Sequence, residues 1–279
     1  MINAESLKGK IRNISKSNNL SPQEVLQMFF FERFLDRLSR TQYKLNFVIK
    51  GGLLIASMLG IDNRTTRDLD TTIKGIPLEK DVIINIVKEI ISIDVNDGIH
   101  FEIVSVDHIR EEDDYENFRM NIIAKYGKIN NSMKIDITTG DIITPKDIEY
   151  SYSCMFSERD IKIQAYPIET IIAEKYESII KRNIGTTRMR DFYDLYKLCN
   201  YKKDEINYTI LSKAIKKTAE RRGSVSFINE AKEIIEDIKN DDYLNNLWKV
   251  YLKENKYADE ISFLDTIEIL DFIERVIVV

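Results

Sequence analysis

Near residue 160 the sequence changes its period, and that change limits the folds open to the chain. Ahead of it, short runs rich in Ile, Val, Phe and Met alternate with helical stretches. Beyond it, apolar residues recur at helical spacing almost without interruption. The pattern predicts an α+β protein, with a mixed β-sheet and flanking helices over residues 1–160 and an α-helical half over 161–279. The chain has only 10 Gly and 4 Pro, so no flexible linker separates the halves. They are expected to pack together, the helical half closing a cleft.

Within the first half, Ser21-Pro22 reads as a helix start, with proline at the first helical position. Val25, Leu26, Phe29, Phe30, Phe34, Leu35 and Leu38 follow at helical spacing. A buried strand is predicted over 45–49, a short helix over 53–59, a strand over 67–73 and a helix over 78–92. Further strands are expected at 101–106, 118–126, 132–138 and 161–165. Glu111-Glu112-Asp113-Asp114 reads as a solvated acidic turn. Helices are then predicted from Pro167 to about Arg182 and over 189–200, 206–221, 226–239, 242–254 and 262–277.

A hydrophobic fraction of 43% and a charged fraction of 31% suit a soluble protein with a sizeable core. Charges interrupt every apolar run before it reaches membrane-spanning length. The first residues lack a secretion signal, and Cys154 and Cys199 have no metal-type spacing. The expectation is a cytoplasmic protein with reduced thiols. A net charge of -5 argues against a uniformly basic nucleic-acid coat. Even so, Lys181-Arg182, Arg188, Arg190, Lys216-Lys217 and Arg221-Arg222 gather positive charge in the helical half. They are either solvated helix faces or a surface for RNA or triphosphate.

Asp68 and Asp70 stand two apart on a predicted strand, so both carboxylates leave the same face while Leu69 points inward. Adjacent carboxylates repel unless a cation lies between them. Mg²⁺ suits the pair, because it takes oxygen ligands and keeps sites for water or phosphate. An Asp-x-Asp pair also arises by chance. A second feature strengthens it: Lys50-Gly51-Gly52 breaks the strand before and opens the next helix. The N–H groups at such a helix start favour a phosphate, and glycine lets it approach the backbone.

In Ser132-Met133-Lys134-Ile135-Asp136-Ile137-Thr138, alternation puts Lys134, Asp136 and Thr138 on one face. Asp136 is placed to complete the metal site and to take a proton from an attacking hydroxyl. Its alternative is an ion pair with Lys134 or a nearby arginine. In the helical half, Lys175 is a candidate for the β/γ-phosphates. Asp191 and Asp194 share a helix face and either orient Lys175 or Arg190 or form a structural ion-pair network. His100 and His108 make no convincing nucleophile–base pair or zinc site. Trp248 and the tyrosines of the last helices read as core.

Four of these segments together resemble the AbiEii/AbiGii-type nucleotidyltransferase toxins, of the DNA polymerase β-like superfamily, over residues from about 45 to about 200. Lys50-Gly51-Gly52 is similar to the family's glycine-turn motif and Thr66-Arg67-Asp68-Leu69-Asp70 to its metal-binding motif. Lys134-Ile135-Asp136, with Gly140-Asp141, resembles its second motif. Ala173-Glu174-Lys175 and Arg190-Asp191-Phe192-Tyr193-Asp194-Leu195 resemble its helical motifs.

The chain departs from the pattern at Gly52, where many superfamily members have serine. The phosphate contact of that serine is expected to pass to backbone N–H groups or to Lys50 and Thr66. The resemblance implies a nucleotidyltransferase-like fold and a toxin of a toxin–antitoxin or abortive phage infection system. It implies Mg²⁺ on Asp68, Asp70 and Asp136, an NTP co-substrate, an RNA acceptor (tRNA ends in some relatives) and a neighbouring antitoxin gene. The catalytic set it implies is Asp68, Asp70, Asp136, Lys175 and Asp191. For nucleotide binding the set is Lys50, Gly51, Gly52, Thr66, Lys134, Lys175 and Arg190. A protein or small-molecule acceptor, or a non-catalytic binding module, are the alternatives.

Overall fold

The computed structural model describes residues 4–77, 79–109, 117–258 and 260–278. The acidic turn expected at Glu111-Glu112-Asp113-Asp114 lies outside the described residues. Two compact units are present, one of residues 1–141 with 148–165 and one of residues 142–147 with 166–279.

The first unit runs α1 (Ala4–Ser17), α2 (Pro22–Leu38), β1 (Phe47–Lys50), α3 (Gly51–Leu59), β2 (Asp68–Ile73) and α4 (Lys80–Ser92). It continues with β3 (His100–His108), β4 (Phe118–Tyr126), β5 (Ile129–Thr139), β6 (Ile148–Ser153) and β7 (Asp160–Ala165). The strands form one mixed sheet in the order β3-β4-β5-β2-β1-β7-β6. β2 pairs with β5 in parallel, as does β1 with β7, and the other neighbours are antiparallel. β7 starts where the sequence texture changes, yet it belongs to this sheet through β1.

Helix α2 starts where Ser21-Pro22 predicts. The Glu24 N–H donates to Ser21 Oγ, and the Ser21 N–H donates back to the Glu24 carboxylate. This reciprocal cap satisfies two of the helix's unpaired donors. Phe30, Phe31, Phe34 and Leu35 are fully buried, so α2 is core on most of its surface. Arg37 is buried among them, and its guanidinium forks onto Asp97 at 2.7 and 2.9 Å and reaches the Ile99 carbonyl at 2.8 Å. Burial of that charge is tolerable only because these partners satisfy it.

Two elements escape the sequence pattern. In α1 only Leu7 and Ile11 supply a buried apolar stripe, too narrow to stand out against polar neighbours. β6 is the sheet's terminal strand and alternates tyrosine with serine and glutamate, with Tyr152 alone buried. An edge strand covered on so little of its surface carries a weak hydrophobic signal.

The second unit holds α5 (Ile168–Arg182), α6 (Met189–Tyr201), α7 (Tyr208–Arg222), α8 (Val225–Asn229), α9 (Ala231–Asn240), α10 (Asp242–Glu254) and α11 (Phe263–Val278). Buried Ile171, Ile172, Tyr176, Ile179 and Ile180 make α5 its central helix, against α6, α7, α8 and α9. The single helix expected at 226–239 is two, broken at Glu230, whose backbone leaves helical geometry at φ -101° and ψ 16°. Trp248 is core, as expected: it stacks on Tyr251 and donates to the Ile261 carbonyl at 2.9 Å. Tyr193 is fully buried against Tyr251 and Tyr257. Cys154 and Cys199 are free thiols. No helix among the described residues is long and apolar enough to cross a membrane.

Candidate active site

Register decides which residues meet at the centre of the sheet. Lys50 on β1 stands opposite Asp70 on β2, Asp70 opposite Asp136 on β5, and Asp136 opposite Arg119 on β4. Directly paired residues share a face, so four adjacent strands present one row: cation, carboxylate, carboxylate, cation. Asp68 lies two residues before Asp70 on the same face, opposite Lys134, which is exposed. The sequence predicts both aspartates of β2 and the aspartate of β5. Register adds that the two strands are parallel neighbours.

The charges of this row are strongly coupled. Burial pushes the Asp70 carboxyl above the ordinary aspartate range; Lys50 opposes this, while Asp136 and Asp68 push it further up. Arg119 forks onto both oxygens of Asp136, at 2.8 and 2.7 Å. Its guanidinium is driven still further toward the charged form, mostly by that hydrogen-bonded pair and then by the fields of Asp136, Asp68 and Asp70. Lys50 donates to Thr138 Oγ1 at 2.9 Å and to the Asp141 carboxylate.

The glycine turn sits directly on this row. Gly51 adopts a left-handed φ of 64°, and a β-carbon there would lie 2.0 Å from Asp70 Oδ2. Only glycine serves at such a position. The turn opens α3, whose N-cap residue Lys50 makes no side-chain capping hydrogen bond. The Gly52 N–H points toward Asp70 Oδ2 at 3.4 Å. A first-turn donor of a nine-residue helix therefore faces the carboxylate row.

Gly52 has its own reason to be glycine. A β-carbon there would lie 2.6 Å from Thr66 Oγ1, 2.9 Å from Thr66 Cβ and 3.2 Å from the Arg64 guanidinium. Thr66 is buried, and its hydroxyl meets the Asp68 backbone. The Thr66 hydroxyl thus fills the space that a residue-52 side chain would need. Gly52→Ser should therefore cost about 1–3 kcal/mol from overpacking, and clearly less in a Thr66→Gly background, which removes both the hydroxyl and the β-carbon. Denaturant unfolding of the two single variants and the double measures this coupling; equal costs in both backgrounds would contradict the placement of Thr66.

In the second unit, Lys175 on α5 holds both acids of α6, with Nζ 2.6 Å from Asp191 and 2.8 Å from Asp194. Both carboxylates are buried. Burial raises the Asp191 carboxyl, but Lys175 and Arg188 outweigh it and hold the group below the ordinary aspartate range. Of the two cations expected there, Lys175 is the partner and Arg190 is exposed; Arg188 also pairs with Asp191. Of the basic cluster, Arg222 is committed to Glu174 and Glu177, at 2.9 and 2.8 Å. Lys216, Lys217 and Arg182 remain on the surface.

Arg119 and Arg64 carry site geometry that sequence reasoning did not assign by number, and the Arg119 pair is the ion pair with a nearby arginine given as the alternative for Asp136. A signal for Arg119 exists. β4 and β5 close as a tight hairpin at Gly127-Lys128, with Tyr126 opposite Ile129, and seven steps back along each strand bring Arg119 opposite Asp136.

The oxygen donors of Asp68 and Asp70 suit a hard divalent cation, and the raised Asp70 carboxyl is the electrostatic mark of a site that such a charge would relieve. Solved structures with the same fold include a Helicobacter pylori protein described as a candidate nucleotidyltransferase. It is 18% identical, with a TM-score of 0.52 over 92% of this chain and 97% of that one. JHP933, also from Helicobacter pylori, is 17% identical, with a TM-score of 0.52 over 92% and 94%. No curated protein matches the chain. The model of the nucleotidyl transferase AbiEii toxin family, of type IV toxin–antitoxin systems, matches residues 33–268. With that match spanning most of its length, the chain belongs to the AbiEii family of nucleotidyltransferase toxins.

Proposed function

We propose that the chain is a Mg²⁺-dependent toxin that moves a nucleotide from an NTP to an RNA hydroxyl in the cytoplasm, tRNA being the foremost acceptor, and releases pyrophosphate. The observation that carries this reading is the seating of Asp70 against the Gly51-Gly52 turn, where carboxylates and a first-turn helix donor share one place. Family membership supplies the nucleotidyltransferase class and implies an antitoxin partner and a nucleotide substrate.

The roles follow from the chemistry of each group. Asp68 and Asp70 hold Mg²⁺, with Asp136 beside them as third carboxylate and acceptor of the hydroxyl proton. The bound ion supplies charge neutralisation at the phosphates and the leaving group. Backbone N–H groups at Gly51 and Gly52 receive phosphate oxygens. Thr66 offers a hydroxyl where relatives carry serine, and Lys50 and Lys134 add positive charge on the same side of the sheet. In the second unit, Lys175 is the candidate cation for the triphosphate, with Asp191 and Asp194 holding its ammonium in place. Arg190 and the exposed lysines of α7 offer charge for the acceptor. A cognate antitoxin from a neighbouring gene restrains the activity outside phage defence.

The acceptor is tested by incubating the purified chain with Mg²⁺, each α-labelled NTP in turn and a bacterial lysate divided into RNA, protein and small-molecule fractions. Label in RNA, concentrated in tRNA, is the expected result. Label confined to protein or small molecules would move the acceptor to that class. Absence of label in every fraction, without metal-dependent protection by NTP in a thermal melt, would favour a binding module.

A further inference from the structure

A metal ion at Asp136 would have to share the carboxylate with a cation already bound there. Both of its oxygens are engaged by Arg119, one by Nε at 2.8 Å and one by Nη2 at 2.7 Å. Among the described residues no three His, Cys, Asp or Glu side chains converge as a metal cage, although Asp68, Asp70 and Asp136 occupy adjacent positions on one face. Arg119 is the cation with which Asp136 is paired instead. Its guanidinium feels all three carboxylates, which is the electrostatic place of a divalent ion. It is also 38% exposed, at the open side of the row, whereas Asp136 is only 15% exposed. The arginine therefore has room to leave; the aspartate is fixed in the sheet.

We propose that Arg119 is a built-in competitor of the divalent cation: in the nucleotide-free protein it occupies Asp136 and weakens metal binding, and it lets go when a triphosphate offers its guanidinium other oxygens. The inference rests on the metal role assigned above to the carboxylate row. Guanidinium forks bind phosphate and carboxylate by the same planar geometry, so the exchange conserves the arginine's hydrogen bonds. Linkage then requires that whatever draws Arg119 off Asp136 strengthens metal binding, and that metal strengthens the binding of that ligand by an equal factor. The arrangement keeps the site weakly loaded until nucleotide arrives.

The test uses Mn²⁺ as probe on the full chain, with calorimetry or the electron paramagnetic resonance of free Mn²⁺ as readout. Without nucleotide, Arg119→Gln should bind Mn²⁺ about tenfold more tightly than the unaltered protein or better. Adding Asp136→Asn to Arg119→Gln should remove the gain. Arg119→Lys, which keeps the charge and loses the fork, should fall between. A non-hydrolysable NTP analogue should tighten Mn²⁺ binding by a smaller factor in Arg119→Gln than in the unaltered protein. Equal or weaker Mn²⁺ binding by both Arg119 variants, with unchanged thermal melts, would overturn the competitor. Unchanged Mn²⁺ binding by Asp70→Asn would instead overturn the metal site itself, so the two failures are distinguishable.

Discussion

Asp70→Asn is expected to lower nucleotidyl transfer by on the order of a thousandfold or more, without lowering the melting temperature. A metal-held charge is worth several kcal/mol in the transition state, and each 1.4 kcal/mol is about tenfold in rate. The stability side follows from the site. Burial and the nearness of Asp136 and Asp68, against the opposing pull of Lys50, raise the Asp70 carboxyl. Its charge therefore lowers folding stability above the ordinary aspartate value of about 3.9. The amide keeps the shape and removes the repulsion, at the loss of the Lys50 attraction and of a long contact from the Gly52 N–H at 3.4 Å. Thermal melts and initial rates on the same preparation check both halves. An activity loss accompanied by a matching loss of folded protein would contradict the assignment.

Lys175→Met is expected to act in the opposite way, through stability first. Its ammonium bridges two carboxylates whose side chains are 4% and 0% exposed. Removing one partner of a buried ion pair costs about 3–5 kcal/mol, because the remaining charge stays buried without its counter-ion. Arg188 still reaches Asp191. The pH dependence is diagnostic. In the unaltered protein the Asp191 carboxyl is depressed by Lys175 and Arg188, so its stabilising contribution is complete above the ordinary aspartate value of about 3.9. That contribution is lost as pH falls through the lowered folded-state value. Without Lys175 the buried Asp191 carboxyl rises and protonates more readily, so the variant's deficit should shrink between pH 7 and pH 4. Urea unfolding at the two pH values checks this. A deficit that grows on acidification would place the destabilisation elsewhere.

The sequence made the centre of the first unit legible because its signals are local. Period-two alternation around Asp68-Leu69-Asp70 and Lys134-Ile135-Asp136 fixes both strand type and facing, and both strands appear where expected. The Gly51-Gly52 break likewise marks the start of α3. What was not legible depends on pairing between distant segments. Arg119 has meaning only through the β4–β5 register, and the opposition of Lys50 to Asp70 needs the β1–β2 alignment. The need for glycine at position 52 depends on where Thr66 falls, which no local pattern specifies. In α6, spacing put Asp191 and Asp194 on one face correctly. It offered Lys175 or Arg190 as the cation the pair orients, and Lys175 is the one that bridges both. On a helix the i,i+3 neighbour Arg188 is the one that faces Asp191.

The central claim is transfer of the α-phosphate with its nucleoside, and parallel reactions with α-labelled and γ-labelled NTP test it most directly. In the presence of Mg²⁺ and RNA, the unaltered protein should incorporate the α-label into the acceptor and release the γ-label as pyrophosphate, and Asp70→Asn should do neither. Incorporation of the γ-label, or α-label incorporation that persists in Asp70→Asn, would contradict the account.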